Sequence, residues 1–305
     1  MLVTIYAAEL AAAIGPPEEA EAARRRLYDF YQQSVDHARD VIEGVRRAGD
    51  HDRSGAAWLV AEHDVLRAVI EDAADRGETP RVWRLTMSMQ PFYQSYVWWR
   101  EWQKAARFAL DVAARAGDVE GQARMQRTLA GAHFFLEEYD VALTHLDAAQ
   151  QLFEQAGMNA ERALVLMNQC RVLLEAGDRT RALRLYRQAG ALMRRHGMPR
   201  ARASSLVVMA TAFQEERPRL AVMLTRRAFA IYAGLDDDRG LALCDEVLAR
   251  AALAEGRLAD ALAHHRSGIS RLPSHDRLAH AEALIALGDI LEQAGRPGEA
   301  RDAWL

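Results

Sequence analysis

Catalytic chemistry needs particular residue types at particular spacings, and this sequence offers few of them. A phosphate-cradling P-loop requires Gly-Lys followed by Ser or Thr. The single lysine, Lys104, stands between Gln103 and Ala105, which excludes nucleotide hydrolysis by that mechanism. A zinc helix needs two histidines one turn apart, whereas His264 and His265 are adjacent and so point apart. The sequence contains no Gly-x-Ser-x-Gly nucleophile elbow. Carboxylate pairs abound, but nothing singles out one of them as acid and base. The expectation is a protein that is not an enzyme and takes no cofactor and no metal.

What remains is the chemistry of recognition. Between Asp178 and Glu215 the sequence holds no acidic residue, while Arg179, Arg181, Arg184, Arg187, Arg194, Arg195, Arg200 and Arg202 are all basic. The formal net charge of the whole chain is -4, so this segment is a local positive feature that could attract phosphate or an acidic protein face. The alternative is a solvated face partly paired with acids of adjacent elements, and Asp236, Asp237 and Asp238 are near in sequence. A second concentration is aromatic: Phe92, Tyr93, Tyr96, Trp98, Trp99 and Trp102. Such rings could form a stacking platform or fill an irregular junction. Trp98 and Trp99 are neighbours on different helix faces, so the group cannot all be buried.

These residues are carried by a repeated element. From Glu120 onward, helical patterns of about 18 residues alternate with short breaks at Gly, Pro or Asp, without sustained alternation of period two. Small residues mark the repeat: Ala142, Ala182, Ala221, Ala261 and Ala300 are separated by 40, 39, 40 and 39 positions, and Trp102 precedes the first by 40. A second column, Ala109, Ala149, Ala189, Ala228 and Gly268, is separated by 40, 40, 39 and 40. A residue without a long side chain lets two helices approach closely. Large-then-small pairs, Leu129-Ala130, Leu248-Ala249 and Leu287-Gly288, belong to the partner helix. Gly117, Gly157 and Gly197, with Gly177, Gly256 and Gly295, stand where helices should end in positive φ. Cys170 and Cys244 fall in different units, so both are expected in packing rather than in a disulfide.

The order Leu129-Ala130, Tyr139, Ala142 and Ala149 resembles the tetratricopeptide repeat, with a period longer than the usual ~34 residues. The resemblance implies an all-α, right-handed superhelical solenoid of about 40-residue repeats, preceded by N-terminal helices. It also implies a concave groove lined by first helices. Aligned positions facing that groove are Arg127, Phe134, Phe135, Met167, Arg171, Phe213, Glu246 and Arg250. Arginines spaced along an apolar groove suit a peptide or helix with acidic positions. The alternative is that several of the apolar residues touch neighbouring helices.

Half of the residues are hydrophobic and 27% are charged, enough for a sizeable core. Neither a membrane span nor a secretion signal is read, and the expected location is the cytoplasm. Alanine and arginine usage resembles that of a GC-rich, actinobacterial genome. Ahead of the repeats, a helix is expected from about Pro17 to Arg47 and another from about Ala56 to Arg76, with a stripe of Trp58, Leu59, Val65, Leu66, Val69 and Ile70.

The opening Leu2-Val3-Thr4-Ile5-Tyr6-Ala7-Ala8-Glu9 and the motif Ala57-Trp58-Leu59-Val60-Ala61-Glu62 resemble, in that order, nucleotide-switch (STAND, NB-ARC-containing) transcription activators of the SARP class. The resemblance implies a winged-helix remnant at 1–16, an N-terminal helical segment at 17–78 and a repeat region at 79–305. The units are placed at about 79–117, 119–157, 159–197, 199–235, 238–273 and 276–305, the last incomplete, as expected of a piece of a longer regulator. The function it implies is a sensor region that binds a protein, a peptide, a ligand or other domains of the same regulator. Nucleic acid would then be met only indirectly. The alternatives are a stand-alone scaffold or peptide receptor, and direct nucleic-acid binding through the arginines.

Overall fold

The computed structural model describes residues 16–42, 55–214, 216–272 and 277–305. The opening Leu2–Glu9 segment and the break at 48–54 lie outside the described residues. Described residues are helical, without strands, and the helices pack pairwise as tetratricopeptide-like repeats. We number them α1 (Pro17–Ile42), α2 (Gly55–Asp75), α3 (Thr79–Ser88), α4 (Gln90–Ser95), α5 (Trp99–Arg115), α6 (Val119–Phe135), α7 (Tyr139–Gln155) and α8 (Asn159–Glu175). The series continues with α9 (Arg179–Arg195), α10 (Pro199–Ala212), α11 (Pro218–Ala233), α12 (Asp238–Ala254), α13 (Leu258–Arg271), α14 (Arg277–Gln293) and α15 (Pro297–Trp304). Two compact units are formed, one ending at Thr128 and the other beginning at Leu129.

Ten of the helix ends among the described residues are alike. Positive φ occurs at Gly77, Val97, Gly117, Glu137, Gly157, Gly177 and Gly197, a step of 20 residues each time, and again at Asp236, Gly256 and Gly295. Each turn closes by the same pair of bonds. At Gly117, its N–H donates to the Ala114 carbonyl at 3.2 Å and the next N–H, of Asp118, donates to Ala113 at 2.9 Å. Those are the two bonds of a Schellman motif, which satisfies carbonyls orphaned at a helix end. The structural module is therefore one helix and one turn, half the repeat seen in the small residues.

The small-residue columns are the helix contacts. Trp102, Ala142, Ala182, Ala221, Ala261 and Ala300 are all fully buried, as are Ala109, Ala149, Ala189 and Ala228. In the second unit, Cys170, Leu206, Met209, Leu224 and Val247 join one core around Ala182, Ala221 and Ala228. Cys170 lies 3.8 Å from the Met209 sulfur. Burial pushes its thiol up to about 11 and that of Cys244 up to about 12, so both stay neutral packing groups.

In the first unit the Ala-Trp-Leu-x-x-Glu motif acquires a physical role. Leu59 is buried, Trp58 stacks on Tyr31 with centroids 6.2 Å apart, and Glu62 accepts the Tyr31 hydroxyl at 3.1 Å. The motif is thus a clasp that holds α2 on α1. Of the stripe read on α2, Leu66, Val69 and Ile70 are buried but Val65 is exposed. The aromatic group packs on α2 as well. Phe92 and Tyr93 are buried, and His63 sits within 6.3 Å of the rings of Phe92, Tyr93 and Trp98. These rings fill a junction. Tyr96, 39% exposed, reaches solvent, while Trp98 and Trp99 are half-buried.

Candidate functional site

In the second unit α8 carries Met167 and Arg171 and α12 carries Glu246 and Arg250 of the side chains expected in a groove, while Phe134 and Phe135 end α6. On α8, Arg171 places its guanidinium carbon 4.3 Å from the centre of the Phe134 ring. That ring makes edge contact with Phe135 at 5.4 Å and a tilted contact with Tyr139 at 6.0 Å. Burial lowers the Arg171 pKa, opposed by the charge of Glu175 one turn along. Its Nε is buried without an acceptor among the described residues. An arginine carries five donors in a rigid fork, so this cation rests on an aromatic face with hydrogen-bonding capacity unspent. Burying such a group costs free energy unless a partner meets it.

A pocket of about 520 Å³ opens between α12, α13 and α14. Leu243, Leu253, Ile269 and Ile290 make its apolar walls; Glu246, Arg250, Asp289 and Gln293 stand among them. Glu246 and Arg250 are ion-paired one turn apart, and that pair is open to solvent. His265, only 8% exposed, lines the same pocket. Burial lowers its pKa, with Glu246 and Arg250 acting in opposite directions, so it sits there as a neutral imidazole able to donate and accept. A pocket of that size with apolar walls and a few polar groups is typical of sites for a small ligand or a few residues of peptide.

Next to the pocket is a set of side chains that could be mistaken for a hydrolytic triad. Buried Asp245 accepts from His264 Nδ1 at 3.0 Å, from Ser267 Oγ at 2.7 Å and from Arg271 Nε at 3.3 Å. A nucleophilic serine needs its hydroxyl on the imidazole. Here Ser267 donates to the carboxylate instead, leaving no base at the nucleophile. The node ties α13 to α12. Among the described residues, no group of three or more His, Cys, Asp or Glu is placed to hold a metal ion, and no helix is long and apolar enough to cross a membrane.

Other expected groove residues have different surroundings. Arg127 is half-buried and belongs to the first unit. Met167 is half-buried and packs against the cores around Ala182 and Ala189. Phe213 corrects the reading of an exposed groove position. It is 5% exposed because it closes α10 and joins the core with Leu206 and Met209. The pocket histidine escaped the sequence reading, since adjacency to His264 counted only against a metal pair. Its one signal was the column: His265 stands three residues before Gly268, on the face that α13 turns inward.

The arginine segment divides. Arg184, Arg187, Arg194 and Arg195 are exposed on α9, and Arg202 is half-buried on α10. Arg200 is committed to structure: its Nε donates to buried Asp237 at 2.6 Å, and Asp237 also accepts the Gly240 N–H at 3.0 Å to cap α12. Although burial acts to raise it, the Arg200 and Gly240 bonds hold the Asp237 carboxyl below its ordinary pKa. Arg179 pairs with Glu216.

No family model matches the chain, and no curated protein matches it. Solved structures do. The apo form of RapI superposes with a TM-score of 0.59 at 14% identity, over 81% of this chain and 89% of that one. A Rap protein complexed with Competence and Sporulation Factor gives 0.57 at 18% identity, over 94% and 80%. The apo quorum sensor NprR from B. thuringiensis gives 0.50 at 10% identity, over 95% and 98%. These likenesses establish the fold: an array of paired helices similar to those of RapI, the Rap protein and NprR.

Proposed function

We propose that this chain is a non-catalytic regulatory domain that binds a peptide or a protein segment on the first-helix side of its second unit. The observation that carries the reading is Arg171, a half-buried cation with a buried Nε left without an acceptor, resting on Phe134 beside other half-buried aromatics. A carboxylate of a bound chain would meet it bidentately. The pocket between α12 and α14 would take an apolar side chain of the same ligand. Fold likeness to a Rap protein complexed with Competence and Sporulation Factor and to the quorum sensor NprR supports a signal-responsive role. The test is selection of short acidic-apolar peptides from a synthetic library, with affinities measured by fluorescence polarisation. Binders that lose affinity with Arg171→Gln and with Leu243→Glu support the reading. Binders indifferent to both substitutions sink it.

The finer reading is that the domain is the cytoplasmic sensor part of a nucleotide-switch transcription activator of the SARP class. It is favoured by Trp58 and Glu62, which clasp Tyr31 in the helix pair ahead of the repeats. Its test is the DNA flanking the gene: an in-frame P-loop ATPase segment upstream supports it, and an unrelated gene directly upstream contradicts it.

A further inference from the structure

The electropositive band is broader than the arginines of α9 and α10. From Arg179 to Leu235 the sequence holds twelve arginines against two acidic residues, Glu215 and Glu216. Arg219, Arg226 and Arg227 extend the band onto α11, all exposed. Among the described residues, Arg184, Arg187, Arg194, Arg219, Arg226 and Arg227 have no ion-pair partner. Tyr186 packs on the core these three helices share, and burial raises its hydroxyl pKa against the charges of Arg227, Arg194 and Arg202.

The outer face of α11 is not uniformly charged. Arg219, Val222, Met223, Arg226, Arg227 and Ala230 line an open trough of about 420 Å³, and Met223 is 43% exposed. The inward face of the same helix is fully used: Ala221, Leu224, Thr225, Ala228 and Tyr232 are buried. The outward row therefore reads arginine, then two apolar residues, then two arginines, then alanine, along one stripe at helical spacing.

We propose that this band is the docking surface for an acidic amphipathic helix of a partner protein. Charge complementarity and periodicity both favour that occupant. A helix laid along α11 shares its rise, so glutamates seven residues apart, about 10 Å, fall opposite Arg219 and Arg226. Apolar side chains three or four positions between them fall on Val222 and Met223. Guanidiniums are suited to carboxylates through paired N–H donors. A duplex backbone would satisfy the arginines but presents no apolar stripe for exposed Met223. The surface lies outside the Arg171 and His265 region, so it can be engaged independently of the groove ligand.

The probe is a synthetic three-heptad helical peptide with Glu at i and i+7 and Leu at i+3 and i+4. It is compared with a shuffled peptide of equal composition and with a short duplex DNA. Fluorescence anisotropy with the full chain is expected to show the amphipathic peptide binding about tenfold or more tightly than the shuffled one. The triple variant R219Q/R226Q/R227Q is expected to lose about tenfold or more, and Met223→Gln several-fold, while Arg171→Gln leaves this affinity unchanged. Circular dichroism checks that the exposed substitutions leave the fold intact, and Met223→Gln stands alone if the triple variant does not fold. Equal binding of the shuffled peptide or of DNA, no binding of the amphipathic peptide, or indifference to these substitutions overturns the proposal.

Discussion

The guanidinium of Arg171 lies over the Phe134 ring at 4.3 Å, with no carboxylate paired to it among the described residues. A half-buried cation whose one opposing charge, Glu175, forms no ion pair with it is a cost to folding that a ligand can offset. Arg171→Met should hold or raise stability, by about 1 kcal/mol, while lowering affinity for an acidic peptide. Urea melts beside polarisation titrations check this. A loss of stability without a loss of binding would make Arg171 a structural residue.

Asp237 joins two helix starts, accepting from Arg200 and capping α12 through Gly240. Asp237→Ala should cost about 1 kcal/mol, chiefly the lost cap of α12, since the exposed Arg200 guanidinium is taken up by water. The sign with pH follows from the lowered carboxyl pKa. Its contribution is fully present above the unfolded value, about 3.9, and is lost as pH falls below that through the folded value. Wild-type protein should lose more stability than Asp237→Asn over this acid range in denaturant titrations.

His265 behaves in the same direction at a higher pH. Burial lowers its pKa, against the charge of Glu246 and with that of Arg250, so the folded state resists protonation. The stability it permits is complete above the unfolded value, about 6.5, and declines as pH falls from there toward the folded pKa. Melts on either side of that range should differ less for His265→Leu than for wild type.

Gly240 is set against the ring of Tyr232, where a Cβ would come within 2.3 Å of the ring edge. Gly121 is in the same position against Trp83, whose Nε1 donates to the capping carboxylate of Asp118 at 2.9 Å. Both glycines are required for close approach. Gly240→Ala should destabilise by about 1–3 kcal/mol in calorimetry, because a packed ring must move.

Val97 is the opposite case. It is a β-branched residue at φ 61°, and 60% exposed, so it contributes strain with little packing. Val97→Gly should stabilise the first unit by about 1 kcal/mol. A lower melting temperature would mean that its side chain makes a contact worth more than the strain.

Much of the architecture was legible in the sequence because close helix packing excludes bulk at fixed positions. Ala142, Ala182 and Ala221 had to be small, and the columns they form are the buried contacts. The half-repeat was hidden, because the turns at Val97, Glu137 and Asp236 take positive φ without glycine. The site was less legible. A column identifies which way a position faces, so Arg171 was read as a groove position, but not that its guanidinium would rest on the Phe134 ring. It does not report how far a terminal turn tucks inward, which is why Phe213 was expected outside and lies in the core. Arg200 was one of eight similar arginines by composition, and only the partner 37 residues away distinguishes it.

The recurring turn carries an implication for how such a chain can change length. Since the turns spaced 20 residues apart from Gly77 to Gly197 are closed by the same pair of hydrogen bonds, the smallest segment that can be gained or lost there without opening a turn is one helix with its turn. Parity then governs the outcome. Losing two helices would keep every later side chain on its side of the array. Losing one would exchange the two sides for everything downstream, turning the arginine face of α11 to where Arg171 and His265 now look. Deletion and duplication in this chain should therefore be tolerated in even steps and destructive in odd ones.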